Sequence, residues 1–325
     1  MSELRYHPFL DQWVITATHR QDRTFHPPDG YCPLCPTKPG GFPTEIPQAE
    51  YDIAVFENKF PSLFADPPEP TVETHAFTPV RPSNGACEVV CYSSDHDATF
   101  ATLPLSQIKK LARVWKDRYI ELGKREEVQY VFIFENKGKE TGVTLSHPHG
   151  QIYAYPFIPP IPQQELKEEL LVWEAYEVPL MKEVLYNETI EGKRVFYENE
   201  RFLCFVPFFA RYPFESYVVP KEHIRSLAFM DDACLDDLAE AMHVVTKKYD
   251  ALFGFSMPYI MAMHQEPTMP GYEYNWFHVE FYPPYRTASK LKYLAGSEAG
   301  AGAFINDTLP EETAAQLRDV RVSSG

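Results

Sequence analysis

Two short runs carry the residue types of a reactive centre: Cys32-Pro33-Leu34-Cys35 and His147-Pro148-His149-Gly150-Gln151. The two imidazoles of the second run stand two residues apart, so on an extended chain they project to one side. One can then bind a metal while the other does chemistry beside it. A histidine with an ordinary pKa near ~6.5 is mostly neutral at pH 7 and is nucleophilic without an activating base. Attack on phosphorus gives a labile N–P bond, which suits a covalent intermediate that is discharged onto a second substrate. Gln151 can offer its amide NH2 to a phosphoryl oxygen whose charge grows in the transition state. Upstream, Gly138 and Gly142 lie in a turn where backbone N–H groups can approach phosphates. An isolated His-x-His is more often wholly metal ligand or wholly structural; the adjoining glycines, glutamine and cysteines favour chemistry here.

Cys32 and Cys35 sit in a Pro- and Gly-rich loop, the backbone setting of a zinc knuckle. Two thiolates make half of a tetrahedral site and need two further N or S donors. Those donors are either His96 and His147 or Cys87 and Cys91. The latter pair lies four apart on an expected strand, roughly 13 Å at strand rise, too far for one zinc. The histidines are the better completion. A redox Cys-x-x-Cys is the alternative, but no βαβ context accompanies it.

These residues have to be held by regular elements. A turn and strand are expected over residues 6–16, an irregular Pro-rich stretch from His26 to Glu50, and strands at 53–56 and 88–92. Ile108, Leu111, Ala112, Trp115, Tyr119 and Leu122 form one face of an amphipathic helix. A strand over 128–134, a glycine-bearing turn over 136–144 and the His-x-His strand follow. Four prolines between Pro156 and Pro162 predict a stiff extended connector. A charged, solvated helix is then expected from about Glu165 to Glu183.

The second half repeats the order. Strands are expected at 201–206 and 216–219, and Leu235, Leu238, Met242, Val245, Tyr249 and Leu252 mark a second amphipathic helix. A further strand and a strand bearing His278-Val279-Glu280 come next. His147 follows His96 by 51 residues and His278 follows His223 by 55. This points to a duplicated strand–helix–strand unit and an α+β fold, with a mainly antiparallel sheet flanked by helices. The halves are taken as residues 1–178 and 179–325. Asn187–Lys193 reads as a hairpin turn rather than a tether, so the halves should share one sheet. Thr308-Leu309-Pro310-Glu311 has capping-box spacing ahead of a short helix, and residues 322–325 are expected to fray. His223 and His243 read as packing or capping residues, and the aromatic run from Phe205 to Tyr212 as sheet core or dimer interface.

Composition bounds the function. The 325 residues include 30 Lys+Arg against 46 Asp+Glu, a formal charge of −16, and 44% hydrophobic residues. That balance excludes the broad basic face of a non-specific nucleic-acid binder. It does not weigh against a diphosphate in a cleft, because screening over ~8 Å makes net charge uninformative locally. No apolar run reaches the ~18 residues of a membrane span. The first residues lack an apolar leader, and six cysteines are too few for a disulfide scaffold, so a cytoplasmic location is expected.

Several separated motifs resemble those of the galactose-1-phosphate uridylyltransferase family, within the histidine-triad-like superfamily. They are Tyr6-His7-Pro8…Gln12-Trp13, Phe56-Glu57-Asn58-Lys59-Phe60-Pro61, Ser94-Asp95-His96, Phe134–Gly138, His147–Gln151, Arg211-Tyr212-Pro213-Phe214-Glu215, Phe281–Pro284 and Lys292-Tyr293…Glu298. The resemblance implies a ping-pong transfer from UDP-glucose to galactose 1-phosphate in galactose metabolism, giving UDP-galactose and glucose 1-phosphate. It assigns His149 as the uridylylated nucleophile and Gln151 as its phosphoryl partner. It assigns Cys32, Cys35, His96 and His147 to zinc, agreeing with the ligand set above. Asn58 and Phe60 fall on the uridine and ribose region, Asn136, Gly142 and Thr144 on the diphosphate and hexose loop, and Lys292, Tyr293 and Glu298 on the sugar-phosphate end. Arg20 and Arg23 match arginines that cross a homodimer interface to the neighbour's nucleotide. A second metal, iron or zinc, is implied at Glu165, His264, His278 and Glu280, where Glu280 replaces the family's usual histidine. Carboxylate is a competent ligand for either metal; the alternative is an empty site with Glu280 simply polar. Leu145-Ser146 and Ser297 also depart from the family pattern. The rival functions are a related nucleotide-sugar phosphorylase or adenylyltransferase, or a zinc-stabilised nucleotide-binding protein without turnover.

Overall fold

The computed structural model describes residues 2–24 and 31–322; the side chains of residues 22–24 are outside the description, as are His26 and residues 323–325. Arg23 therefore contributes backbone only, and the expected fraying at the end lies almost wholly outside the described residues.

In chain order the elements begin with β1 (Ser2–His7), β2 (Gln12–Ala17), β3 (Ala54–Glu57), β4 (Val80–Pro82), β5 (Ala86–Cys91) and α1 (Leu105–Gly123). β6 (Tyr130–Lys137), β7 (His149–Tyr155), α2 (Pro160–Tyr176) and α3 (Leu180–Glu191) follow. Then come β8 (Val195–Glu198), β9 (Phe202–Phe205), β10 (Ser216–Pro220), α4 (Asp232–Phe253), β11 (Tyr259–His264) and β12 (His278–Tyr282). The chain closes with β13 (Tyr285–Thr287), β14 (Lys290–Leu291), α5 (Gly296–Ala301) and α6 (Pro310–Asp319).

Nine strands form one antiparallel sheet in the order β3-β5-β7-β6-β11-β12-β10-β9-β8. Apart from β8, which adds a fifth strand to the second half, the order is symmetric about the β6/β11 seam. β7 has β12 as its counterpart, and β5 has β10. The duplication expected from sequence is thus a topological fact, and the halves share one sheet.

Period-2 alternation assigns each strand residue to a face. On one face Val131, Ile133, Ile152, Val218, Met261, Met263, Val279 and Phe281 pack against α1 and α4 in the main core. Trp115 and the other apolar residues expected on α1 are its buried face. The opposite face carries the polar chemistry. The N-terminal β2-β1-β4 sheet packs there over Cys87, Tyr153 and Phe134, the Cys32–Cys35 loop over Val89 and Cys91, and α3 over Leu203, Phe205 and Tyr217.

Four local expectations are corrected. The segment 156–162 is not an extended connector throughout, since α2 starts at Pro160. Proline fits the first turn of a helix because the N–H it lacks has no intrahelical acceptor there. Asn187–Lys193 is not a hairpin turn but the end of α3, closed by Gly192 with φ of 61°. The charged stretch is accordingly two helices, parted where Glu177 turns left-handed ahead of Pro179. Thr308 does not cap α6: Leu309 occupies the N-cap without a side-chain bond, and the Thr308 hydroxyl donates to Asn306 and Pro213 instead.

No helix of the described residues is long and apolar enough to cross a membrane.

Candidate active site

β7 is the strand that aims the reactive side chains. His149 opposes Cys91 of β5, and Gln151 opposes Val89 of β5 and Phe134 of β6. His149, Gln151 and Tyr153 thereby share the polar face. Gly150 faces the helices, and the Tyr92 hydroxyl lies so close that a Cβ there would stand 2.2 Å from it. Only glycine lets β7 run over Tyr92.

The His149 Nδ1 lies 2.7 Å from the backbone carbonyl of His147. A carbonyl only accepts, so Nδ1 carries the proton and the neutral ring keeps its lone pair on Nε2. The amide oxygen of Gln151 accepts from Asn58 Nδ2 and from the Tyr153 hydroxyl, each at 3.4 Å. Its NH2 is then the end turned to donate. Asn58 also receives the Phe60 backbone N–H at 2.9 Å, which fixes the loop after β3.

Asn58, Phe60, Asn136, Gly142, Thr144, His149 and Gln151 line one cavity of about 390 Å³. A second cavity of about 600 Å³ adjoins it, bordered by Asn136, Lys137, Thr144, Ser146, His147 and His149 among others. His149 borders both. Gly142 turns with φ of 84°, a left-handed conformation that glycine adopts without strain. Arg20 donates to its own chain's Phe60 carbonyl at 3.0 Å and to the Tyr153 hydroxyl at 3.3 Å. Lys292, Tyr293 and Glu298 do not line the cavities beside His149. Lys292 is buried, bonds the Ile305 carbonyl, and ion-pairs with Glu298 at 3.0 Å, holding that carboxyl down to about 2. Tyr293 is exposed.

The sulfur of Cys35 lies 3.4 Å from His96 Nδ1 and 3.6 Å from His147 Nδ1. Donor atoms of Cys32, Cys35, His96 and His147 all fall within 4.8 Å of one another. A tetrahedral ion bound at ~2.3 Å to sulfur and ~2.0 Å to nitrogen separates adjacent donors by about 3.5 Å, so the set fits. Its supporting contacts fit as well. His147 Nε2 donates to the Ser93 carbonyl at 2.8 Å, with the Tyr51 hydroxyl 2.6 Å away, leaving Nδ1 as the ligand nitrogen. Burial lowers the His147 pKa to about 4, so its lone pair is available. Burial and the neighbouring Cys32 push the Cys35 thiol up to about 11, the behaviour of a sulfur that needs a cation to ionise. Cys87 and Cys91 are both buried, Cys91 under the Cys loop and Cys87 under the N-terminal sheet, and neither belongs to this group.

A second group joins Glu165 of α2, His264 of β11, and His278 and Glu280 of β12, again with donors within 4.8 Å. His278 opens β12 as His149 opens β7, and Glu280 stands two residues in, as Gln151 does. Both groups could hold a metal. Of the other histidines, His223 stacks on Trp276 and bonds the Asn275 carbonyl, and His243 bonds the Ala101 carbonyl inside α4. Both do the packing work expected of them.

Residues 1–159 match the galactose-1-phosphate uridyl transferase N-terminal domain and residues 164–323 its C-terminal domain. The chain belongs to the galactose-1-phosphate uridyl transferase family. A galactose-1-phosphate uridylyltransferase of Thermotoga maritima is 43% identical over 324 residues, 99% of each chain. One from Streptomyces lividans is 35% identical, spanning 98% of this chain and 87% of its own. A solved uridylyltransferase structure superposes with a TM-score of 0.87 at 35% identity, covering 97% of both chains. Within this family member, sequence reasoning missed Tyr51, Ser93 and Tyr153, and gave Arg211 no role beyond its motif. Tyr153 was reachable, since it stands two residues past Gln151 on the same strand face. Tyr51 and Ser93 act on His147 from far along the chain, and no local pattern marks them.

Proposed function

We propose that this family member transfers a uridylyl group from UDP-glucose to galactose 1-phosphate through a covalent histidine. The observation that carries the reading is the hydrogen bond from His149 Nδ1 to the His147 carbonyl, which fixes Nε2 as the nucleophilic nitrogen beside the Gln151 amide. In the first step Nε2 attacks the α-phosphorus and the bond to the bridging oxygen breaks. Glucose 1-phosphate leaves with the electron pair. In the second step a phosphate oxygen of galactose 1-phosphate attacks the same phosphorus, the N–P bond breaks, and UDP-galactose departs. Both leaving and entering groups are phosphate anions, so no general base is needed. Positioning and charge stabilisation by Gln151 supply the acceleration.

Asn58 and Phe60 serve the uridine and ribose, and Asn136, Gly142 and Thr144 the diphosphate and hexose. Lys292, Tyr293 and Glu298 serve the sugar phosphate, and in a homodimer Arg20 and Arg23 serve the neighbour's nucleotide. The first half, residues 1–178, holds the nucleophile, and the second, residues 179–325, completes the sugar-phosphate site. Zinc bound by Cys32, Cys35, His96 and His147 supplies a structural cross-link that anchors the segment entering β7. Glu165, His264, His278 and Glu280 hold a second ion, iron or zinc. The enzyme works in the cytoplasm, with its cysteines unpaired in disulfides.

Incubation with UDP-glucose alone, followed by intact mass measurement, tests the reading. An acid-labile adduct of uridylyl mass is expected, absent from His149→Ala. No adduct in the unaltered protein sinks the covalent mechanism. An adduct discharged by inorganic phosphate but not by galactose 1-phosphate identifies a phosphorylase instead.

A further inference from the structure

The second cluster contains a contact that its four candidate ligands do not explain. Glu280 is fully buried, and its two oxygens face different partners. Oε2 accepts from Arg211 Nη2 at 3.0 Å and lies 3.8 Å from His264 Nε2. Oε1 has no hydrogen-bond partner and stands 3.3 Å from His278 Nε2. The other nitrogen of that ring, Nδ1, faces the Trp276 carbonyl at 3.1 Å and so carries a proton. In the neutral ring Nε2 then presents a lone pair to a carboxylate oxygen, an arrangement that is satisfied by a cation between them or by a second proton on the ring. His264 Nδ1 and Glu165 Oε2, 2.6 Å apart, complete the ring of donors.

Arg211 is built into place. Nη2 also donates to the Tyr282 hydroxyl at 3.0 Å, and the guanidinium lies 5.1 Å from the Tyr282 ring centroid and 5.7 Å from that of Phe304. Glu215, also buried, accepts the Arg211 and Tyr212 backbone N–H groups and ion-pairs with the guanidinium at 3.4 Å. The arginine thus brings one positive charge to a pocket holding Glu165, Glu215 and Glu280. A planar guanidinium can occupy one carboxylate oxygen and leave the other directed elsewhere.

We infer that Arg211 is an internal counter-cation of the second cluster, bonded to Oε2 of Glu280 so that the buried carboxylate remains compensated when the ion leaves. The inference rests on the reading that this cluster takes a metal. Arg211 is a positioning residue, acting through Glu280.

Protein carrying one equivalent of zinc at the thiolate site is titrated with Mn2+, an ion suited to carboxylate and imidazole donors, and binding is followed by the loss of the free-ion EPR signal. One Mn2+ per chain is expected. Arg211→Met removes a positive charge close to the ion and should tighten Mn2+ binding by at least about fivefold, whereas Arg211→Lys keeps the charge and should stay near the unaltered affinity. Arg211→Met should also lower the melting temperature more without Mn2+ than with it, and adding Glu280→Gln should return the Mn2+-free value toward that of the unaltered protein. Absence of Mn2+ uptake by the unaltered protein removes the metal reading and this inference with it. Uptake that Arg211→Met leaves unchanged or weakens, or an equal loss of melting temperature in both states, preserves the metal site and overturns the role of Arg211.

Discussion

At the scale of single residues, the polar face of the sheet orders its histidines through carbonyls. His147, His149 and His278 each present one ring nitrogen to a backbone oxygen, at 2.8, 2.7 and 3.1 Å. Each ring is thereby committed to one tautomer before any ligand arrives. The helix-side face has a different polar residue. Glu135 is buried between the Tyr92 and Tyr259 hydroxyls, which donate at 3.4 and 3.3 Å, and burial raises its pKa to about 7. A carboxyl raised in the folded state binds its proton more tightly there than in the unfolded chain. Its contribution is complete below the unfolded value near ~4.5 and is lost as pH rises through about 7. Glu135→Gln, which mimics the protonated acid, should therefore flatten the loss of melting temperature between pH 5 and pH 8. A variant as pH-sensitive as the unaltered protein would show that Glu135 titrates normally. The placement of His149 and Gln151 on one strand face, with His147 beside the cysteines, was legible in the sequence because their spacing is that of one extended chain. Arg211 was visible only as part of a motif, since its partner Glu280 is 69 residues away in sequence.

At the scale of elements, β7 has to pass over Tyr92 to bring His149 to the polar face. Gly150→Ala would drive a methyl group into the Tyr92 hydroxyl. Overpacking of this kind costs roughly 1–3 kcal/mol, and here the displaced strand carries His149, the proposed nucleophile. The substitution should lower the urea midpoint and slow adduct formation together, and Tyr92→Phe in the same chain should recover part of both. Normal adduct kinetics in a destabilised Gly150→Ala protein would mean that β7 yields elsewhere. Helical periodicity located α1 and α4, and runs of β-branched and aromatic residues located the principal strands, most of which are buried on both faces. Local pattern failed at residues 156–162 and 187–193, where proline and glycine mark boundaries without saying which kind. Prolines 160 and 162 open a helix, and Gly192 closes one. Those outcomes depend on the docking of α2 and α3 over the second half of the sheet, and short-range pattern does not encode docking.

At the scale of the whole molecule, residues assigned to one substrate are divided between places that a single chain keeps apart. The nucleotide-side residues line the cavity beside His149, whereas Tyr293 is exposed and lies outside that lining. Chains carrying His149→Ala and chains carrying Tyr293→Ala, each impaired alone, should recover activity when co-expressed as mixed dimers. Mixtures no more active than the parents would place Tyr293 in service of its own chain. The nine-stranded sheet bears on a different moment in the life of the protein. β6 has no outer neighbour until β11 arrives, and β11 lies roughly 120 residues later, which at ribosomal speed is a wait of roughly 6–24 s. For that interval the newly made first half presents an eight-residue strand, Tyr130–Lys137, with its backbone groups open along one side. Biosynthesis of this chain thus includes a period when its most adhesive edge is bare, closed only by the arrival of its own second half.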